Sequence, residues 1–170
     1  DVYGLAKVMG GKKRFIDKLQ MVFDEGLYDP ANEPDIAYPY LFSYFKGEEW
    51  RTQKETQRLL DKYFTTKPNG IPGNDDTGTM SAWAIFNMIG FYPDCPGLPE
   101  YTLTTPVFNK VTIRLDPKWY KEKELVIESN RTQPGTLYIN KVLLNGKKFN
   151  QYRITHDELV HSQRILFDLK

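Results

Sequence analysis

The sequence predicts an α+β chain, helices first and strands after. Two observations carry this. Through roughly the first 90 residues, apolar side chains recur at mixed spacings of three and four, the period of an amphipathic helix. After about residue 98 the pattern becomes short β-branched and aromatic runs parted by turn residues, as in an all-β unit. Composition agrees with a folded chain. At 170 residues it is long enough for one ordinary domain or two small ones, and 14% of it is aromatic, which argues against disorder.

The elements follow in order. Lys12 to Phe23 places Phe15, Ile16, Leu19, Met21, Val22 and Phe23 on a helical stripe, and Gly26 is a plausible stop. Prolines at 30, 34 and 39 predict a loop, because each removes a donor and restricts its neighbour. From Pro39, YLFSYF reads as a short helix closed by Gly47. Glu48 to Thr66 predicts a helix with Trp50, Leu59, Leu60, Tyr63 and Phe64 on one side and charged residues on the other. A Pro/Gly-rich loop then runs into MSAWAIFNMIG, which has almost no polar face and so predicts a buried helix. Asn74, Asp75, Asp76 and Thr77 crowd its start as capping residues. The runs TLTTPVFNKVTIRL, KELVIES, GTLYINKVLLNGKKF and RILFDLK predict strands, with Asn145-Gly146 as a two-residue hairpin turn. The change of pattern near Cys95-Pro96-Gly97 sets two domains, 1–97 and 98–170.

Several function classes are excluded at this level. Lys+Arg is 23 against 22 for Asp+Glu, so the net charge of +1 leaves no polybasic nucleic-acid arm and no acidic tail. One cysteine rules out an intrachain disulfide framework, and two histidines make a His-rich metal site improbable. No apolar run approaches the roughly 20 residues that span a bilayer. The opening DVYGLAKVMGGKK lacks a charged start followed by an apolar stretch, and reads as a start within a larger protein. There is no Walker-type phosphate loop and no dinucleotide glycine pattern.

Chemistry concentrates in two places. GIPGNDDTG holds Asn74, Asp75 and Asp76 between Gly73 and Gly78, just before the apolar helix. Helix capping accounts for one oxygen acceptor; two adjacent carboxylates and an amide exceed that need, and the glycines permit close approach of a ligand. DPANEPDIAYPYLF sets Asn32, Glu33 and Asp35 among prolines. It reads either as a solvated turn, or as an oxygen-ligand site for a hard cation such as calcium, or as a sugar-binding surface. Aromatic residues beside carboxylates suit carbohydrate, although helix packing accounts for most of them, Trp83 above all. Cys95 reads as a packing residue and His156 as a structural hydrogen bond at a turn.

The motifs NEPDIAYPYLF, GIPGNDDTGTMSAW and IGFYPDCPG, in that order, resemble the C-terminal part of glycoside hydrolase family 92, the calcium-dependent exo-acting α-mannosidases. The opening and closing segments are similar to that family too, so the resemblance covers essentially the whole chain. It implies the last helices of an (α/α)6 barrel followed by a small β-sandwich-like unit. It implies hydrolysis of terminal α-linked mannose with inversion, in which an acid protonates the leaving oxygen and a carboxylate activates water on the opposite face. By the motif match Asp76 is the general base, Asn74 helps orient the water, and Asp75, Asp35 and Tyr40 are candidate substrate contacts. Asn32 and Glu33 are the candidate Ca2+ ligands. The matched acid, a Glu, lies upstream of Asp1, so the implied partners are a mannose-containing glycan and the N-terminal portion of the same enzyme, and the segment alone is expected to be inactive. The implied location is secreted, periplasmic or cell-surface. Two departures stand out: Ala37, where the family commonly has His, and Ala84, where it commonly has an aromatic. A non-catalytic carbohydrate-binding or structural module on the same scaffold is the competing reading.

Overall fold

A computed structural model of the chain describes residues 1–133 and 135–170. It divides into two compact units, Asp1–Ser81 and Ala82–Lys170. The division falls ahead of the 97/98 boundary set by residue pattern. The reason lies in helix α4 (Thr79–Ile89), whose Phe86 and Ile89 pack on the apolar core of the second unit.

The first unit contains α1 (Val2–Val8), α2 (Lys12–Asp24) and α3 (Glu49–Tyr63). Between α2 and α3 lies a run of 3₁₀ turns over Glu33–Tyr44. This corrects the expectation of a loop as far as Pro39 followed by a short helix. Pro34 sits at the start of the run, where a missing N–H costs nothing, and Pro39 lies inside it. The apolar stripe of α2 buries Phe15, Ile16, Leu19 and Phe23, as the period predicts. Phe23 lies 5.1 Å from the Tyr28 ring and 5.9 Å from that of Phe42, and Phe15 lies 5.4 Å from Phe45, all centroid to centroid.

Helix α3 departs further from the sequence reading. Leu59 and Leu60 are buried, but so are Thr52, Gln53, Glu55 and Thr56, while Trp50 is exposed. The polar face is paid for by hydrogen bonds. Ser43 Oγ donates to Thr52 Oγ1 at 2.8 Å, Thr56 Oγ1 donates to the Thr52 carbonyl at 2.7 Å, and Gln20 Nε2 donates to Glu55 Oε1 at 3.0 Å. The Glu55 carboxylate is fully buried and sits 2.8 Å from Arg58 Nε. An ion pair of this kind holds its place because a lone buried charge would cost several kcal/mol.

The second unit carries two sheets. One has the order β1 (Phe91–Tyr92), β2 (Glu100–Leu103), β7 (Arg153–Thr155); the other β3 (Lys110–Arg114), β4 (Glu124–Arg131), β8 (Arg164–Leu169), β5 (Ile139–Leu144), β6 (Lys147–Phe149). All pairs are antiparallel except β4 with β8. Asn145 and Gly146 both take positive φ, 48° and 79°, and Leu144 pairs with Lys147 across them, the geometry of the expected hairpin turn. Leu103, Leu125, Ile127, Ile154, Ile165, Phe167 and Leu169 form the core. A short helix α5 (His156–Val160) starts with a capping box of Thr155 and Glu158. His156 joins Tyr101 Oη at 2.9 Å through Nδ1 and Tyr120 Oη at 3.3 Å through Nε2, a structural role as expected. Burial, and secondarily the neighbouring Tyr120, pushes the Tyr101 hydroxyl above the ordinary phenol range.

Within α4, Trp83 is 2% exposed and Asn87 donates to its carbonyl at 2.8 Å. The helix is not covered on every side, however: Ser81, Ala82 and Ile85 are exposed. No helix among the described residues is long and apolar enough to cross a membrane.

Candidate active site

Both motif loops belong to the first unit, and each is built by short-range hydrogen bonds. In the Asp29–Asp35 loop, Asp29 Oδ1 accepts from the Ala31 amide at 3.0 Å. Asp35 Oδ2 accepts from the Asp29 amide at 3.0 Å, and Asp35 Oδ1 from Asn32 Nδ2 at 3.4 Å. Asp35 is therefore buried and spent on bracing its own loop. Tyr40 is wholly buried, inside the 3₁₀ run. Asn32 and Glu33 are exposed, and among the described residues nothing pairs with the Glu33 carboxylate. Because Asn32 donates its amide nitrogen to Asp35, its Oδ1 is the atom left to accept or to ligate.

The second loop leads into α4, and its two carboxylates have different tasks. Asp75 Oδ1 accepts from the Ser81 amide at 2.8 Å and Asp75 Oδ2 from Ser81 Oγ at 3.0 Å. Asp75 is thus the helix cap. Asp76 contributes only its carbonyl to the helix, accepting from Thr79 Oγ1 at 2.7 Å. Its carboxylate is exposed, and among the described residues it has no hydrogen-bond partner. Asn74 is exposed as well. The backbone here is strained: Asp76 and Thr77 have φ of 43° and 62°, and Gly78 follows at 92°. A β-branched residue in the left-handed region costs about 1–2 kcal/mol. Thr77→Gly is accordingly expected to raise the unfolding free energy by up to about 1 kcal/mol after glycine's own entropy cost, measurable by urea denaturation. Asp75→Ala is expected to do the reverse, losing about 1 kcal/mol with the cap.

One contact joins the two loops. Gly73 has φ 62°, and a Cβ placed on it would come 2.6 Å from the Ala31 Cβ. The glycine lets the GNDD loop lie flat against the residue that precedes Asn32. Of the candidates named from sequence, the structure thus brings the Asn32–Glu33 and Asn74–Asp76 segments side by side through this contact, sets Asp35 and Asp75 to internal bracing, and sinks Tyr40 into the interior. The Ser81 partner of Asp75 escaped the sequence reading, although its position in the first turn of the helix was a signal for it.

The chain matches the model of the glycosyl hydrolase family 92 catalytic domain over residues 1–170. It belongs to that family. Among curated relatives it is 28% identical over 157 residues to an uncharacterized secreted glycosidase of Arthroderma benhamiae, covering 92% of this chain and 20% of the relative. Among solved structures it is similar to a family 92 α-mannosidase of Bacteroides thetaiotaomicron, at 30% identity and a TM-score of 0.87, over 100% of this chain and 23% of the other. That enzyme has also been solved in complex with mannoimidazole. A family 92 inverting mannosidase of the same organism is 30% identical with a TM-score of 0.85, over 100% of this chain and 26% of the other. The family 92 chain therefore spans about a fifth of its curated relative's length and about a quarter of these solved structures. Its α+β architecture is the one they share over this stretch.

The oxygen donors of these loops match calcium only in part. Among the described residues no three His, Cys, Asp or Glu side chains group to hold a metal. Asn32 Oδ1 and the Glu33 carboxylate are nonetheless hard oxygen donors, exposed and uncommitted, and calcium takes six to eight such ligands from carboxylates, amides and water together. The pair fits a share of a calcium shell and not the whole of it.

Proposed function

We propose that this chain supplies the general base, and part of the metal and sugar contacts, of a secreted exo-α-mannosidase that works with inversion. The observation that carries the reading is the division of labour in the GNDD loop: Asp75 caps the helix, while Asp76 is held in a strained backbone with its carboxylate free, on a loop seated against Ala31. A strained, uncommitted carboxylate on a rigid support is a common property of catalytic positions. The α-mannosidase and inverting mannosidase among the similar structures support the substrate and the stereochemistry. The relative described as a secreted glycosidase supports the location.

In this reading Asp76 accepts a proton from a water as the water oxygen bonds to the anomeric carbon. The glycosidic C–O bond breaks on the opposite face, and an acid from outside this chain protonates the departing oxygen. Asn74 orients the attacking water by hydrogen bonding. Asn32 and Glu33 would hold the calcium, which when bound offsets charge on sugar oxygens. Because the acid comes from elsewhere, the 170-residue chain alone is expected to release no mannose.

The test is the anomeric form first released from an α-mannobioside by the full-length protein, followed by proton NMR. The β anomer is expected; the α anomer would exclude inversion. EDTA is expected to suppress release and calcium to restore it. Glu33→Gln should raise the calcium concentration needed for half-restoration, and an unchanged requirement would remove Glu33 from the shell.

A further inference from the structure

Asp35 is a buried carboxylate that the proposed mechanism leaves without a part. It is 8% exposed, and both of its oxygens are engaged inside the Asp29–Asp35 loop. Oδ2 takes the Asp29 amide, a fixed donor of the loop backbone, and a bond of this kind braces the turn. Oδ1 takes Asn32 Nδ2 at 3.4 Å, and that donor differs in kind. It belongs to an exposed residue, whose amide water would satisfy as well, so the bond adds little to stability. Its consequence is orientation.

The backbone of Asn32 is pinned on both sides. Its amide donates to the Asp29 carbonyl at 3.1 Å, and its carbonyl accepts from the Asp35 amide at 2.9 Å. What is left to vary is the side-chain amide, whose nitrogen and oxygen exchange places by a half-turn. A carboxylate only accepts, so Asp35 admits the nitrogen and repels the oxygen. With Nδ2 held by Asp35, Oδ1 is the atom offered outward, on the residue next to Glu33. Calcium takes an amide oxygen and has no use for an N–H.

We infer that Asp35 is a positioning residue for calcium: it fixes the Asn32 amide with its oxygen toward the ion. The inference rests on the proposed part of Asn32 and Glu33 in holding calcium, and it adds the residue that decides which atom of Asn32 the ion meets.

The experiment is calorimetric titration of the metal-free full-length protein with calcium alone. Asp35→Asn keeps an oxygen for the Asp29 amide but turns an NH2 toward Asn32, whose amide must then reverse. Affinity is expected to fall by about 10–100-fold, the usual effect of losing a group that orients a metal ligand. In an Asn32→Ala background the same substitution should change affinity less than about twofold, because no amide is left to orient. An equal loss in both backgrounds would make Asp35 a brace of the loop only, and overturn the inference. Asn32→Asp combined with Asp35→Asn sets every donor against an acceptor again and leaves a carboxylate oxygen outward. It should bind calcium at least as tightly as the parent, and binding as weak as that of Asp35→Asn alone would also overturn the inference. Glu33→Gln separates the two levels of the argument. Calcium binding that Glu33→Gln weakens and Asp35→Asn does not would overturn the role of Asp35 alone. A parent protein that took up no calcium would overturn the calcium reading, and this inference with it.

Discussion

Asp76→Asn in the full-length protein is expected to lower kcat on an α-mannobioside by about 10²–10⁴-fold, the usual worth of a positioned base. The amide has nearly the volume of the carboxylate, and Asp76 gives the fold only its backbone carbonyl. Stability should therefore stay within about 0.5 kcal/mol of the parent, as for surface substitutions that break no named interaction. KM should change little, since a base acts on water and not on substrate binding. A variant that kept its turnover would leave Asp76 as an exposed turn residue and nothing more. The neighbouring Asp75→Asn makes the informative comparison, because an amide can still accept from Ser81 through its one oxygen and so keeps part of the cap.

Gly73→Ala is the second large effect expected. The added methyl would stand 2.6 Å from the Ala31 Cβ, closer than two carbons approach, and φ of 62° penalises any side chain in addition. Either the GNDD loop or the Asp29–Asp35 loop must shift. A displacement near 1 Å in a catalytic constellation costs on the order of 10²-fold in rate. A loss of that size in kcat is expected, with about 1–3 kcal/mol of stability. Ala31→Gly removes the atom that is struck. Combined with Gly73→Ala it should restore part of the rate, leaving the cost of the backbone conformation. A double-mutant cycle on kcat measures this coupling directly, and additivity would mean that the two loops do not act as one site.

What the sequence disclosed follows from how local each feature is. Helix α2 was legible because its stripe of Phe15, Ile16, Leu19 and Phe23 is both periodic and buried. The turn at Asn145-Gly146 was legible because those residue types accept positive φ. The buried face of α3 was not, because Thr52 and Glu55 owe their burial to Ser43, Gln20 and Arg58, and two of these lie outside the helix. Strands β1 and β7, of 2 and 3 residues, are too short to show a period, and α5, of 5 residues, declares itself only through its capping box. The prolines of the Glu33–Tyr44 run argued for a loop and concealed the 3₁₀ turns.

The candidate site divides in the same way. Carboxylates flanked by glycines identified the GNDD loop, and the opening Asn-Glu-Pro identified its neighbour. Residue types alone gave no sign of which carboxylate would be spent on Ser81. Nor did they show that the strain would fall on Asp76 and Thr77, since positive φ is read from glycine and Thr77 is β-branched. The contact between Gly73 and Ala31 spans a long stretch of chain, and no local pattern encodes it.

The central claim, that Asp76 activates the attacking water, is tested most directly by Asp76→Gly assayed with and without azide. Glycine adopts φ of 43° without penalty, so the loop should keep its course while the carboxylate is gone. Azide is a nucleophile that needs no base. The account predicts that hydrolysis of an activated aryl α-mannoside nearly stops, and that azide restores consumption of the substrate with β-mannosyl azide as the product. Hydrolysis by the variant at the parent's rate without azide would contradict it.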